Sequence, residues 1–353
     1  AWSSGGMNGR CYSAGLRIRQ ASMSAPLDID VLVVGAGIAG LWAARRLQAA
    51  GHVCALVERD ALGGGQSHAA QGIIHGGLKY ALDDTAATAD GAIAAMPARW
   101  RAHLAGRAAP DLSAAATASD CCWLWADQGI AGRLATTLAP WLLRDRAQRV
   151  SPPDWPAFLQ AARFDGLVLR LDEIVVDVPA VLATLAAPLT PRLLHLPDAL
   201  VRLARARDGV RLELDHFTLR ARHVVLCAGA GNAELQTALD VEGPAMCLRP
   251  LHQVCVEASW PHPVFGHCLT GQRGSEPPLT LTTHAGPASS LLYLGGALAT
   301  EGVARDRTRQ IDAARRAQHR DLVILAHYGP TGLGRDPADI YGKDFGKPGG
   351  DWG

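Results

Sequence analysis

The stretch Val31-Leu32-Val33-Val34-Gly35-Ala36-Gly37-Ile38-Ala39-Gly40 decides the fold class of this chain. Its first four residues are apolar and mostly β-branched, which is typical of a strand buried on both faces of a parallel sheet. In the glycine pattern that follows, Gly35 permits a tight turn, Gly37 lets a pyrophosphate approach the backbone, and Gly40 lets a helix pack closely on the strand. The free N–H groups at the start of that helix would face phosphate oxygens.

A helix, a second strand and an acidic residue follow in the order that a dinucleotide-binding unit requires. Gly51 is expected to end the helix, and residues 53–57 read as the second strand. Glu58 then lies about 20 residues after the first glycine, where a carboxylate can accept hydrogen bonds from ribose hydroxyls and repel the 2′-phosphate of NADP. A glycine-rich loop without a ligand is the alternative, but the complete order favours a bound dinucleotide.

A second glycine-rich segment, residues 63–77, indicates a longer ligand than NAD. It combines a glycine triplet with small polar residues within about a dozen positions of Glu58. A flavin dinucleotide has a longer reach, and its pyrophosphate and ribityl chain need further small donors from the loop after the second strand. This segment therefore narrows the prediction from any dinucleotide towards FAD.

The run Gln71-Gly72-Ile73-Ile74-His75-Gly76-Gly77-Leu78-Lys79-Tyr80 resembles a segment of the FAD-dependent oxidoreductases of the D-amino-acid-oxidase/glycine-oxidase superfamily. Glycerol-3-phosphate and L-2-hydroxyglutarate dehydrogenases carry this segment after their dinucleotide fold. Three further stretches are similar to the same superfamily: Asp177-Val178-Pro179, residues 223–231, and Tyr293-Leu294-Gly295-Gly296. The resemblance covers about residues 28–325.

The resemblance implies an FAD-dependent dehydrogenase or oxidase, in which a CH–OH or CH–NH carbon of a small acid gives a hydride to flavin N5. The cofactor carries that chemistry, and the protein supplies binding, orientation and electrostatics. The substrate would be of the 2-hydroxy acid or amino acid type, with an unknown electron acceptor. The residues predicted to bind FAD are Gly35, Gly37, Ile38, Ala39, Gly40, Glu58, Arg59, Gly65, Gln66, Ser67, Gln71, Gly72, Ile73, His75, Ala228 and Gly229.

The predicted fold class is α/β. A Rossmann-like FAD-binding domain with a mostly parallel sheet is expected over residues 28–110 and 165–245. An inserted α+β substrate domain with a mixed or antiparallel sheet is expected over 111–164 and 246–327. Residues 1–27 are expected to be a disordered leader, either a transit peptide or an artificial or misread upstream segment. Residues 328–353 read as an irregular tail that lacks the superfamily's C-terminal FAD segment.

The candidate catalytic residues are His75, Arg249 and His252. His75 would lie near the reactive ring and could orient substrate or take a proton near neutral pH. A turn histidine bonded to backbone is an equally weighted alternative. Arg249 could clamp a substrate carboxylate in bidentate fashion, although a surface arginine is the more favoured interpretation. No metal site is predicted, because the spacing of His252, His267 and His284 is not that of a zinc site.

Composition excludes several classes of function. The formal net charge is +1, which gives no reason to expect nucleic-acid binding, and 48% hydrophobic residues support a sizeable core. The eight cysteines show no C-x-x-C spacing, which favours reduced thiols and a cytoplasmic location over a disulfide framework. No apolar run reaches the length of a transmembrane span, and mitochondrial or peripheral membrane association stays open.

Two other functions remain open at this stage. An NAD-dependent dehydrogenase would use the first glycine pattern but leaves residues 63–80 and 224–231 unexplained. A truncated, non-catalytic protein with the FAD fold would account for the unusual tail. An absorbance scan separates the first alternative from a flavoenzyme, and flavin reduction by a substrate separates the second.

Overall fold

The computed structural model describes residues 26–77, 90–127, 129, 146–197, 202–258, 262–269, 276–286, 289–321 and 340–342. The leader up to residue 25, Lys79, Tyr80 and most of the tail lie outside this part of the chain. The strands are β1 Leu27–Val34, β2 Cys54–Glu58, β3 Ile73–Ile74, β4 Thr117–Ser119, β5 Cys122–Asp127, β6 Ala147–Arg149, β7 Gly166–Leu171, β8 Ile174–Val176, β9 Leu193–His195, β10 Leu203–Ala206, β11 Gly209–Glu213, β12 Thr218–Leu226, β13 Val254–Ala258, β14 Phe265–Cys268, β15 Leu279–Ala285, β16 Ser290–Gly295 and β17 Ile340–Gly342.

Helices connect these strands and cover their faces. They are α1 Ile38–Ala49, α2 Gln66–Ala69, α3 Asp90–Ala94, α4 Met96–Leu104, α5 Ala157–Ala161, α6 Val178–Ala186, α7 Asn232–Ala238, α8 Ala297–Gly302 and α9 Arg307–Asp321. Short 3-10 turns lie at Pro152–Asp154, Ala187–Arg192 and Gly229–Gly231. Among the described residues, none of the helices combines the length and the apolar character that crossing a bilayer requires.

The first sheet has six strands in the order β10-β11-β12-β1-β2-β9. β1 pairs in parallel with both β12 and β2, and β9 extends the parallel part beyond β2. Leu32 and Val33 of β1 have no exposed surface, because side chains pack on both faces of this central strand. The α/β fold class and the buried parallel strand predicted from residues 31–34 are confirmed.

Helix α1 ends as its sequence predicts. Gly51 has φ +86°, the left-handed conformation that suits glycine. Its N–H donates to the Gln48 carbonyl at 3.1 Å, and the His52 N–H donates to the Leu47 carbonyl at 3.0 Å. These two bonds satisfy carbonyls that have no partner inside the helix, and they turn the chain towards β2.

The second sheet has eight strands in the order β17-β13-β16-β15-β14-β5-β7-β6. Its pairs are antiparallel except for β14 with β5, which run in parallel. Its core contains Trp125 and Phe158, whose rings meet edge to face with centroids 5.4 Å apart. The mixed second sheet agrees with the predicted fold class.

Two details of this sheet differ from the expected domain limits. β7 was expected in the first domain, but it pairs with β5 from Cys122↔Leu171 to Asp127↔Gly166. β7 is thus a strand of the second sheet although it falls within residues 165–245, and the limit at residue 165 stays a prediction. Residues 340–342, within the stretch expected to be irregular, form β17 by pairing with β13 at the edge of the sheet. The other domain limits stay predictions.

A third sheet of three strands, β3-β8-β4, joins the first two sheets. β3 and β8 are antiparallel, with Ile73 opposite Val175 and Ile74 opposite Ile174. One step further along this register, His75 faces Glu173. The same loop is tied to the second sheet, because the Gln71 side-chain amide donates to the Thr280 carbonyl at 3.1 Å.

We expect Gly51→Ala to lower the free energy of unfolding by about 1 kcal/mol. The backbone at residue 51 has φ +86°, a left-handed conformation that is unfavourable for a residue with a Cβ. Urea denaturation of both proteins measures this difference. Gly51→Asn is the matched control and should stay closer to the wild type, because asparagine tolerates this conformation. An alanine variant as stable as the wild type would contradict the assigned helix end.

Candidate active site

The turn after β1 is built by backbone contacts that only glycine allows. Gly35 has φ +102°, and a Cβ there would lie 2.5 Å from the Cys227 carbonyl oxygen. A Cβ on Gly40 would lie 1.8 Å from the Gly35 carbonyl oxygen. The helix, the turn and the end of β12 therefore touch without intervening side chains, as the glycine pattern predicts.

The start of α1 is arranged to receive an anion. Gly37 is the N-cap and brings no side chain, and the first turn carries no acidic residue. The Ile38 N–H donates to Ser67 Oγ at 2.9 Å, and a Cβ on Gly37 would lie 3.2 Å from the same oxygen. The two glycine-rich segments predicted to bind one ligand thus meet at this helix terminus, where N–H groups and the helix dipole favour phosphate.

Glu58 lies at the end of β2, beside this turn. Its Oε2 accepts the Ala36 N–H at 2.7 Å and its Oε1 accepts the Asp60 N–H at 2.9 Å. The carboxylate is thus held against the glycine turn after β1, and its predicted contact with a ribose stays a prediction. Arg59 is exposed and paired with Asp60 at 3.1 Å, and Gly65 and Gln66 are exposed at the start of α2.

The late turn predicted to return to the flavin does lie against the first one. The Cys227 N–H donates to the Val34 carbonyl at 2.7 Å. Asn232 Oδ1 then accepts the Ala228 N–H at 2.8 Å, and Gly229 adopts φ +56°. The turn at 35–40, the Glu58 carboxylate and this second turn therefore lie against one another, which is an arrangement that a dinucleotide would fit.

His75 meets two residues that the sequence analysis did not select as catalytic. Its Nδ1 lies 3.4 Å from Oε2 of Glu173, and Nε2 of His267 lies 3.5 Å from the same oxygen. Glu173 is fully buried and the His267 side chain is 6% exposed, whereas the His75 side chain is 38% exposed. We call these three side chains the His–Glu–His cluster. Their ligand atoms lie within 4.8 Å of one another, close enough to hold a metal ion.

The cluster keeps its carboxylate ionised. Burial raises the pKa of the Glu173 carboxyl, but hydrogen bonding to His267 and His75, and the positive charge of either ring when it is protonated, hold this pKa below its ordinary value. Glu173 Oε1 also accepts the Gly76 N–H at 3.0 Å. A buried carboxylate needs such partners, because an unpaired charge in the interior is very costly.

Neutral groups line the neighbouring part of the second sheet. The His284 and Tyr293 rings meet edge to face at 5.2 Å. Burial lowers the pKa of His284, although the Asp177 charge and a Gln71 hydrogen bond act in the opposite direction. Burial and then Cys255 raise the pKa of Tyr293 to about 12. Both side chains are therefore uncharged near neutral pH, beside the Gln71 amide.

Arg249 and His252 do not join this cluster. Arg249 is exposed on the irregular segment before β13, which favours the surface interpretation. His252 is buried, and its Nδ1 lies 3.0 Å from the Gly302 carbonyl oxygen at the end of α8. This bond places the His252 ring between the loop and the helix end, where it stabilises packing. A catalytic role for either residue stays a prediction without structural support.

Sequence reasoning missed Glu173 and considered His267 only as a zinc ligand, a role that its spacing did not support. The only signal within reach was strand pairing, since an antiparallel register of 73–74 with 174–175 places residue 75 opposite residue 173. No local sequence motif indicates this pairing, because 97 positions separate Gly76 from its partner Glu173.

Comparison with known proteins agrees with this architecture. The family model described as FAD dependent oxidoreductase matches residues 30–328. A probable FAD-dependent oxidoreductase of Pseudomonas aeruginosa, PA4991, is 44% identical over 296 residues, which are 83% of this chain and 75% of that protein. The crystal structure of that oxidoreductase superimposes with a TM-score of 0.71 at 38% identity, covering 89% of this chain and 77% of the other.

More distant structures share the fold. Glycine oxidase from Geobacillus kaustophilus gives a TM-score of 0.56 at 18% identity, covering 85% of this chain and 80% of the oxidase. The FAD-bound L-α-glycerophosphate oxidase from Mycoplasma pneumoniae gives 0.59 at 13% identity, covering 89% and 81%. The family match spans most of the chain and includes both glycine-rich segments, so FAD rather than NAD is the cofactor. The chain belongs to the FAD-dependent oxidoreductase family.

Proposed function

We propose that this FAD-dependent oxidoreductase oxidises a CH–OH or CH–NH carbon of a small 2-hydroxy acid or amino acid. The observation that carries the proposal is the position of His75. Its Nδ1 is buried against Glu173 while the side chain is 38% exposed, so the rest of the ring is open to a substrate. A proton acceptor is needed wherever a hydroxyl or amine becomes a carbonyl or imine.

The chain's own residues divide the work of this reaction. The turn at 35–40, with Ser67 and Glu58, would hold the phosphates and the ribose of FAD, and the turn at Ala228 and Gly229 would lie against it. Bound FAD supplies a hydride acceptor at N5. His75 would take the proton from the substrate hydroxyl or amine as the carbon loses its hydride, since imidazole exchanges protons near neutral pH.

The substrate class is supported by the names of structural relatives. One is a glycine oxidase and another is an L-α-glycerophosphate oxidase, so one acts at an amine-bearing carbon and one at a hydroxyl-bearing carbon. The proposal does not depend on Arg249, which is exposed. A cytoplasmic location is part of the proposal and is supported by the absence of C-x-x-C spacing among the eight cysteines of the sequence.

We expect purified protein to be yellow, with a flavin band near about 450 nm. Under anaerobic conditions, at least one of glycine, L-proline, L-2-hydroxyglutarate, lactate or glycerol 3-phosphate should bleach that band. The absorbance scan and the bleaching rate are the two measurements. A colourless protein that binds NADH would contradict the FAD assignment, and a yellow protein that no acid or amine reduces would favour a non-catalytic protein with this fold.

Gly40→Ala should weaken flavin binding by roughly tenfold or more, which is about 1.4 kcal/mol. The added Cβ would meet the Gly35 carbonyl and push α1 away from the phosphate-binding turn. The flavin content of the purified variant and its dissociation constant measure the effect. The matched control is Gly51→Ala at the other end of the same helix, which should lose stability but keep its flavin.

We expect His75→Asn to slow anaerobic bleaching by roughly 100- to 10,000-fold, the range that a general base contributes. Flavin binding should be close to that of the wild type, because the phosphate-binding turn is untouched. Exogenous imidazole should restore part of the rate in His75→Ala, where it can replace the missing ring. If the flavin of His75→Asn is bleached as fast as that of the wild type, His75 is not the base.

A further inference from the structure

The buried carboxylate of Glu173 determines which ring nitrogens carry protons. An ionised carboxylate only accepts hydrogen bonds. Oε1 is occupied by the Gly76 N–H, and Oε2 faces Nδ1 of His75 and Nε2 of His267. These three atoms are buried and have no other hydrogen-bond partner, so a hydrogen on each nitrogen is the arrangement that makes both contacts with the carboxylate attractive. His75 is thereby held with its proton on Nδ1, which leaves its Nε2 free to accept another.

The second imidazole is fixed in the same way. Nδ1 of His267 lies 3.0 Å from the Thr280 hydroxyl oxygen. With a proton on Nε2, this Nδ1 has a lone pair and accepts the hydroxyl hydrogen. His267 is 5% exposed and does not reach a substrate. It serves instead to give the buried carboxylate a second donor.

Two other titratable groups near Glu173 do not pair with its carboxylate. Burial raises the pKa of the Cys122 thiol well above its ordinary value, and the negative charge of Glu173 adds to that shift, so the thiol stays neutral. The neighbouring Asp172 points to the surface and pairs with Arg101 at 2.5 Å. The partners of the Glu173 carboxylate are therefore the two rings and the Gly76 N–H.

We propose that Glu173 is a positioning residue for His75: it holds the ring with Nδ1 protonated and Nε2 open to the substrate, and it stabilises the imidazolium formed on proton transfer. His267 and Thr280 support Glu173 in this role. The inference rests on the proposed function, in which His75 is the base. In a hydrolase triad, a buried acid likewise orients a histidine and stays ionised. We assign the same two roles to Glu173 and His75.

The proton transfer balances without any further reactant. The substrate O–H or N–H bond breaks and an Nε2–H bond forms on His75. The electron pair of the broken bond becomes the new C=O or C=N bond, while the substrate carbon loses its hydrogen with two electrons to bound FAD. His75 becomes positively charged, and the negative Glu173 carboxylate lies 3.4 Å from it. That contact is longer than an ideal charged hydrogen bond of about 2.8 Å, so it can tighten as the charge forms.

Glu173→Gln tests the proposal in the full flavin-loaded chain. Glutamine keeps the volume but brings an amide instead of a charge. We expect anaerobic bleaching by the best acid or amine of the panel to slow at least about 100-fold, in line with the loss of an orienting carboxylate. Asp172→Asn, which removes the neighbouring surface acid, is the matched control and should change the rate less than threefold.

The double variant distinguishes positioning from structural support. If Glu173 acts through His75, then Glu173→Gln added to His75→Asn should cause almost no further loss of bleaching rate. Two losses that multiply would overturn the proposal. If His75→Asn alone bleaches like the wild type, the proposed function of His75 fails. If His75→Asn is slow but Glu173→Gln is fast, only the role of Glu173 fails.

A measurement on the wild-type protein keeps the proposal testable if the variants do not fold or no panel compound reduces the flavin. Nitrogen-15 NMR of histidine-labelled protein should show His75 with its proton on Nδ1 near neutral pH, assigned by loss of the signal in His75→Asn or, failing that, by its cross-peaks to Gly76. A proton on Nε2 would overturn the proposal. A stoichiometric metal ion in the purified protein would also overturn the proposal if a chelator removes it and the NMR signals of both rings shift on its removal. The cluster would then be a metal site.

Discussion

The close approach of three backbone segments at the end of β1 is the constraint on which the rest of the molecule depends. Gly40 touches the Gly35 carbonyl, and Gly35 in turn touches the carbonyl of Cys227. Any side chain at these glycines would separate the helix from the sheet or the late turn from the early one. Because the segments approach so closely, the helix terminus, Glu58 and the second turn are held beside one another.

A second constraint operates where the two large sheets meet. Here a buried carboxylate lies beside one buried imidazole and one partly exposed imidazole, and a partly buried side-chain amide lies nearby. Such groups are tolerated only when almost every donor and acceptor finds a partner. In the reaction that we propose, these contacts would hold the His75 ring at a defined angle to the substrate.

The sequence predicts the first constraint and misses the second. The structure of residues 31–58 can be predicted from the residues themselves: a buried strand, glycines at defined spacing, a helix end at Gly51 and an acid at Glu58. Glu173 and His267 come together with His75 only through strand pairing, β3 with β8 and β14 with β5. Their roles depend on contacts across long stretches of chain, for which no spacing rule exists. His252 shows the reverse case, since a histidine beside Arg249 looks functional in sequence and is bonded to a helix end in the structure.

The Gln71 side-chain amide donates hydrogen bonds to the Thr280 carbonyl, the Thr282 hydroxyl and the Tyr293 carbonyl. These bonds limit how such a protein can change over evolutionary time. They attach the loop that carries His75 to β15 and β16, the strands of the second sheet. The turn at 35–40 belongs to the first sheet, whereas the loop of His75 is tied in this way to the second. A lineage can replace the outer strands of that sheet to accept a new substrate, but β14, β15 and their polar partners must be inherited together with the histidine loop.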